Sequence, residues 1–369
     1  VAKLGRPFMA YIAPKAAHEP FNPAPWYRDH WDPSWPQHEP RPENWNCSAE
    51  SRKRHHGNIA RQPLITEQAS RVITGVFKNR WRTLMSVDDL IEGVVGVVAE
   101  LGLLQSTYFL YSSDHGFQLG EFNVPMDKRH VYEWDTKIHL LARGPGIIAG
   151  SAMPMPGTQV DVAPTLLGLA GIAAPAAMDG RSVVPFLVPE PGSGVPAATR
   201  RHLRELGDPT AYAAAWRREV FIEYYFVDDN IKCTAPASPS EARCQAGDYP
   251  WRDSACTDLA ANADCWCQGI AAPPPQNGSC YATEDQSNNY IALRRFGEGQ
   301  ERLYAEFQAG SLFKDDISFD SVDFVELFDP AEDPWLLRNR AEDEAWKAER
   351  AELHERLRSW LHCAGAACP

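Results

Sequence analysis

The sequence predicts an α/β architecture for its first half and a small α+β unit for its second. Three observations carry that reading. One is an apolar stripe at helical spacing, followed by a short apolar run that stops at a polar turn, the order of half a βαβ unit. Another is a set of four short strand-like runs and a charged amphipathic helix at the far end. The third is size: 369 residues, 44% hydrophobic and 23% charged, suffice for about two domains of roughly 150 residues with buried cores.

Taken in order, residues 8–12 (FMAYI) read as a buried strand. Residues 19–66, rich in Pro, Trp, Asn and charge, read as a long irregular excursion. From about residue 66 to 104 the pattern is helical. Val87, Leu90, Ile91, Val94, Val98 and Leu101 fall on one face, and Ser86 with Asp89 three residues on has the form of a cap. Residues 107–111 and 138–142 read as apolar strands, the second stopped by Gly144-Pro145-Gly146. Residues 161–170 read as a short helix capped by Asp161 and ended by Gly171. Residues 187–200, rich in Pro, Gly and Ala, read as a linker. Beyond it, residues 220–225, 290–294, 302–307 and 322–328 read as strands and 341–361 as a helix. The boundaries expected are an α/β domain over 1–200 and an α+β subdomain over 201–369, with a Cys-rich insertion at about 233–280.

Charge excludes some partners. With 36 basic and 49 acidic side chains the chain carries −13, which disfavours nucleic acid and anionic lipid. No apolar run approaches the roughly 20 residues of a membrane span. The only basic cluster, Arg52-Lys53-Arg54-His55-His56, reads as a solvated loop, with contact to an anionic substrate as the alternative. An anionic ligand therefore needs a local cationic pocket.

Nine cysteines, six of them in residues 233–280 and two at the C-terminus, read as disulfide staples of an oxidising compartment. A zinc site on Cys265 and Cys267 competes, but C-x-C without a second pair is a poor zinc signature. An odd count leaves at least one cysteine free or paired outside the chain. Asn277 and, more weakly, Asn46 head N-glycosylation acceptor triplets.

The chemistry falls at strand ends, where open α/β sheets bind ligands. Asp114 and His115 follow the 107–111 run, His18 follows the 8–12 run, and Lys128-Arg129 precede the 138–142 run. A carboxylate beside an imidazole can hold a divalent cation. A His and a Lys can hold and protonate an anionic ester. By spacing alone, Asp-His-Gly is also ordinary turn chemistry, His18 a hydrogen-bonded core residue, and Lys128-Arg129 a surface pair.

The run Tyr111-Ser112-Ser113-Asp114-His115-Gly116-Phe117-Gln118-Leu119-Gly120-Glu121 resembles the strand-and-loop signature of the sulfatases, within the alkaline phosphatase superfamily. It continues through Asp127-Lys128-Arg129-His130-Val131-Tyr132-Glu133-Trp134-Asp135 to Arg143-Gly144-Pro145-Gly146, which is similar to the N-acetylglucosamine-6-sulfatase branch. Ala13-Pro14-Lys15-Ala16-Ala17-His18, the run from Arg80 to Asp89, Asp161-Val162-Ala163-Pro164-Thr165, Met178-Asp179-Gly180-Arg181-Ser182, the run from Val325 to Pro334 and the Cys363/Cys368 pair extend the match, which is loosest over 187–290.

The resemblance implies an alkaline-phosphatase-like sulfatase sandwich, of which this chain holds the C-terminal part of the large sheet, followed by the α+β subdomain. It implies Asp114 and His115 as ligands of one calcium ion, His18 as an active-site imidazole and Lys128 as the sulfate contact. Most relatives carry Asp-Asn where this chain has Asp114-His115. It implies a sulfuric ester hydrolase that removes 6-O-sulfate from N-acetylglucosamine units of glycosaminoglycans or related sulfated glycans, in a lysosomal or secreted setting. The family nucleophile is a formylglycine made from Cys-x-Pro-Ser-Arg, and none of the nine cysteines has that context. The expectation is therefore a C-terminal portion that shares its calcium and substrate with an N-terminal part of the same protein and is inactive alone. A broad arylsulfatase, an inactive remnant that binds sulfated glycans, and a two-zinc phosphatase or phosphodiesterase are the competing readings. His130 and His139 lack the Asp-x-x-x-His spacing the last would need.

Overall fold

The computed structural model describes residues 6–18, 21–227, 259–262, 265–268, 280–297, 299–365 and 368. Helices α1 (Ala49–Arg52), α2 (Gly57–Ala60) and α3 (Glu67–Glu100) precede β1 (Phe109–Ser112), α4 (Glu133–Thr136) and β2 (Leu140–Arg143). Helices α5 (Val162–Ala170), α6 (Val184–Leu187), α7 (Ala197–Leu206) and α8 (Pro209–Ala214) lead to β3 (Glu219–Tyr224). Strands β4 (Leu259–Asn262), β5 (Cys265–Gln268), β6 (Cys280–Ala282), β7 (Tyr290–Arg295), β8 (Arg302–Phe307) and β9 (Phe324–Phe328) follow, then helix α9 (Lys347–Leu361).

The long helix α3 starts where Thr66 accepts a hydrogen bond from the Ala69 N–H. Its first turns bury Ala69, Val72, Ile73 and Val76 against Phe21, Leu119, Met126 and Tyr281. The helix runs through Ser86, so that residue caps nothing: its neighbours on both sides already satisfy their backbones within the helix. The predicted apolar face continues, yet Leu90, Ile91 and Leu101 stand exposed on it. Among the described residues no helix is long and apolar enough to cross a membrane.

Residues 8–12 form no strand, against the sequence reading. Met9 is 69% and Tyr11 85% exposed. A strand needs a ladder partner, and no described strand pairs with this segment. The helix-then-strand order of the predicted half βαβ unit is present, as α3 followed by β1, but residues 8–12 supply no strand before it. Strands β1 and β2 pair antiparallel, with Phe109 opposite Arg143. Their connection holds only the single turn α4, too little helix for a parallel crossover.

The second half matches its sequence pattern closely. Strands β3-β7-β8-β9 form one antiparallel sheet in that order. One face carries Ile291, Leu293, Tyr304 and Leu327 and packs on Leu353 and Leu357 of α9. The other carries Ala292, Ala305, Phe307 and Phe328 and packs on Ile59, Phe122, Val131 and Tyr132 from the first half. The alternation of the strands thus builds a wall behind the 122–132 segment, which holds Lys128. Helix α7 takes up residues 197–206, so the predicted linker shortens to the stretch between α6 and α7.

The basic cluster is not a solvated loop. Arg52, His55 and His56 are buried, while Lys53 and Arg54 are exposed. Arg52 donates to the carbonyls of Cys47 and Gln62, His55 bonds the Leu336 carbonyl, and His56 faces the buried Glu326 carboxylate at 3.1 Å. Those acceptors offset the cost of desolvation. Cys363 and Cys368 are disulfide-bonded, and Cys47 is a free, buried thiol. The side chains of the six other cysteines lie outside the described residues, although the backbone sets Cys267 opposite Cys280. Asn277 lies outside them too. Asn46 spends its amide on Ile65, donating to the carbonyl at 3.1 Å and accepting from the N–H at 2.6 Å.

Candidate active site

Strand β1 ends at Ser112 and delivers Ser113, Asp114 and His115 into a turn. Ser113 Oγ donates to Asp114 Oδ1 at 3.2 Å, and the His115 N–H donates to the same oxygen at 3.0 Å. Gln159 Nε2 donates to the carbonyls of Ser113 and Asp114 and holds the turn from outside. Gly116 closes it: its N–H donates to the Asp135 carbonyl at 2.8 Å, and a Cβ there would lie 1.9 Å from the Trp134 carbonyl oxygen. Only glycine allows that approach.

His115 Nδ1 lies 2.7 Å from the Gly116 carbonyl, which can only accept, so Nδ1 carries the proton. Nε2 then points its lone pair toward Asp114 Oδ2, 3.3 Å away. With the ring neutral, two acceptors face one another and a bound cation would satisfy both; with the ring protonated, the imidazolium pairs with the carboxylate. Burial pushes the Asp114 carboxyl up, but the His115 ring, backbone N–H groups and the Ser113 hydroxyl outweigh it and hold it below the usual range. The pair suits two neighbouring ligands of a divalent ion. Calcium takes about 6–8 donors, mostly oxygen, so these two do not complete its shell. Among the described residues no group of three or more His, Cys, Asp or Glu could hold a metal.

His18 and Lys128 come from 110 residues apart and meet. Lys128 Nζ lies 3.4 Å from His18 Nε2. An ammonium has only protons to give, so Lys128 donates and His18 accepts. His18 is exposed and Lys128 partly so, open to a ligand. Lys128 rides on a segment stitched to the Asp114 turn: Gln118 N–H donates to the Asp127 carbonyl, and the His130 N–H donates to Asp135 Oδ2. Asp127 bonds the Lys128 N–H at 2.9 Å and pairs with Arg129 Nε at 3.3 Å. Arg129 also pairs with Glu284, which accepts from Tyr224 at 2.5 Å. Burial, then the Glu284 charge, push the Tyr224 hydroxyl up, so it stays a donor.

Sequence reasoning missed several of these parts. Arg129 was a default surface cation, yet it fastens the segment to the C-terminal half. Phe117 and Arg80 carried no assigned role, yet the Arg80 guanidinium lies 3.9 Å from the Phe117 ring centroid and Lys128 Nζ 5.8 Å from it. No spacing rule could pair residues so far apart in sequence.

Comparison with known proteins bears on the family likeness and the fold. A family model described as Sulfatase matches residues 1–172. The chain is 28% identical over 363 residues to the N-acetylglucosamine-6-sulfatase of Bos taurus, covering 98% of this chain and 53% of that protein. An extracellular sulfatase SULF-1 homolog of Drosophila melanogaster is 43% identical over 109 residues, 30% of this chain and 10% of that protein. The chain thus spans about half the length of the first of these relatives and a tenth of the second. Among solved structures, a phosphonate monoester hydrolase from Silicibacter pomeroyi superposes with a TM-score of 0.57 at 21% identity. That superposition covers 95% of this chain and 55% of that one, and bears out the alkaline-phosphatase-like fold. The motif order read from the sequence and the fold agree with that match: residues 1–172, a little under half of the chain, match the Sulfatase family model.

Proposed function

We propose that this chain is part of a sulfuric ester hydrolase that removes 6-O-sulfate from N-acetylglucosamine units of glycosaminoglycans or related glycans. The contact between Lys128 and His18 carries the reading: a cation and an imidazole meet, on a segment that hydrogen bonds tie to Gly116 and Gln118 just beyond Asp114, in a chain whose overall charge repels anions. Lys128 offsets charge on the sulfate oxygens, which grows in the transition state. The Lys128–His18 pair holds a proton within reach of the leaving sugar oxygen, and an unactivated alkoxide needs that proton at moderate pH. Asp114 and His115 would hold calcium, with further ligands from elsewhere in the protein; a bound cation supplies Lewis-acid polarisation of a sulfate oxygen.

The nucleophile is assigned to a formylglycine in an N-terminal part of the same protein, since no cysteine of this chain stands in the required context. The chain alone is then expected to release no sulfate. The glycan substrate is supported by the similarity to the N-acetylglucosamine-6-sulfatase of Bos taurus. A lysosomal or extracellular setting is supported by the Cys363–Cys368 disulfide.

The test is sulfate release from N-acetylglucosamine 6-sulfate and from a simple aryl sulfate, by the chain alone and by the protein with its upstream part. Release by the longer protein from the sugar ester, lost about 10²–10⁴-fold in Lys128→Met and His18→Gln, is expected. Faster turnover of the aryl ester would instead favour a broad arylsulfatase. Release by the chain alone, or full activity in Lys128→Met, would overturn the assignment.

A further inference from the structure

Arg80 sits on α3 with its guanidinium stacked 3.9 Å over the Phe117 ring and 5.6 Å from the Phe21 ring. Its Nη1 donates to the Ala17 carbonyl at 3.3 Å, one residue before His18. The His18 carbonyl in turn accepts from the Phe21 N–H at 3.1 Å. Phe21 is buried and meets Phe117 edge to face, with ring centroids 5.9 Å apart. Lys128 Nζ lies over that same Phe117 ring. Both sides of the His18–Lys128 contact therefore converge on one stack. The residues flanking His18 are tied to Arg80 and Phe21, and the Lys128 ammonium shares Phe117 with Arg80.

We propose that Arg80 is a positioning residue for the His18–Lys128 pair. It does not touch the reacting atoms. Its planar fork does two things at once: the face covers Phe117 and an edge N–H fixes the Ala17 carbonyl. A lysine can supply the charge but not the face and the fork together, so the proposal separates arginine from lysine at this position. The proposal rests on the reading of His18 and Lys128 as site residues. Misplacement of such a pair by about 1 Å is enough to cost on the order of 10²-fold in rate.

The test uses the whole 369-residue chain with 13C-labelled histidine, the His18 ring signals being assigned by their loss in His18→Gln. Lys128→Met is introduced into the wild type, into Arg80→Met and into Arg80→Lys. In the wild type it should move the His18 ring signals. In both Arg80 variants the same change should have at most about one fifth of that effect, because the contact is no longer held. Arg80→Lys keeps the charge and the aliphatic stem, so it serves if Arg80→Met fails to fold. An undiminished effect in Arg80→Lys overturns the proposal and leaves the site reading intact. No effect of Lys128→Met in the wild type overturns both. Full sulfate release by the longer protein carrying Lys128→Met, with the coupling present in the wild type and lost in the Arg80 variants, would overturn the site reading alone.

Discussion

Asp161 and Arg217 form a two-pronged ion pair in the interior, with Nη1–Oδ2 at 2.6 Å and Nη2–Oδ1 at 2.9 Å. Both side chains are almost fully buried. The Asp161 carboxylate also accepts from the Thr158 N–H at 2.9 Å and the Arg181 N–H at 2.7 Å, so its oxygens are well supplied. It fastens the start of α5 to the strand-bearing half. Asp161→Ala would leave a buried, uncompensated guanidinium and should cost about 3–5 kcal/mol in urea unfolding of the chain. Arg217→Met on top of it should restore part of that loss, because the stranded charge is then gone. A double variant as unstable as the sum of the two single ones would contradict the pairing.

Glu121 predicts a loss of stability on the alkaline side. Burial, opposed by the Leu119 and Glu121 backbone N–H groups and reinforced by the Glu39 charge, raises its carboxyl to about 7. The unfolded chain titrates it near 4.5. Folding therefore favours the protonated form: the contribution is fully present below about pH 4.5 and is lost as pH rises through about 7. The loss between pH 5 and 8 should be about 2–3 kcal/mol. Glu121→Gln should remove it, and urea midpoints at the two pH values check this. An equal slope in the variant would rule the residue out.

His130 predicts the opposite slope on the acid side. Burial first, then the neighbouring His56, lower its imidazole to about 3. Its Nε2 bonds the Thr283 carbonyl at 2.9 Å and so carries the single proton. The unfolded chain binds a second proton below about 6.5, so this stability is present above that pH and lost as pH falls. Between pH 7 and 5 the cost should be about 2 kcal/mol. His130→Gln, which can still donate to Thr283, should flatten this limb.

What the sequence revealed follows from how local each signal is. Strand β8 was read at its true bounds because its pairing partners are neighbours in the chain and its alternation is regular. The C-terminal half of α3 was found because the 3.6-residue period of Val87, Leu90, Ile91, Val94 and Val98 needs no distant information. The 8–12 segment was misread because five apolar residues look the same whether buried in a sheet or exposed, and a partner strand decides which. The burial of His56 was invisible because its acceptor, Glu326, comes 270 residues later. Site roles for Lys128 and His18 were implied by resemblance, not by spacing; their 3.4 Å contact and Arg80 over Phe117 were implied by neither. Close approaches between distant segments leave no period to read.

The exposed stripe of α3 gives the last prediction. Leu90, Val97 and Leu101 recur at i, i+7 and i+11, which sets them on one face. All three are exposed, Val97 to 56%. Leu140 and Leu141 of β2 are exposed as well, Leu141 to 61%. Apolar surface of this extent promotes association. The isolated chain should bind an apolar fluorescent dye and self-associate as its concentration rises, both measurable by fluorescence and light scattering. Leu90→Lys with Val97→Lys should reduce both several-fold. It should shift the unfolding free energy by no more than about 1 kcal/mol, since Leu90 and Val97 are 38% and 56% exposed. A large loss of stability would show that the face is covered, and dye binding unchanged by the substitutions would place the sticky surface elsewhere.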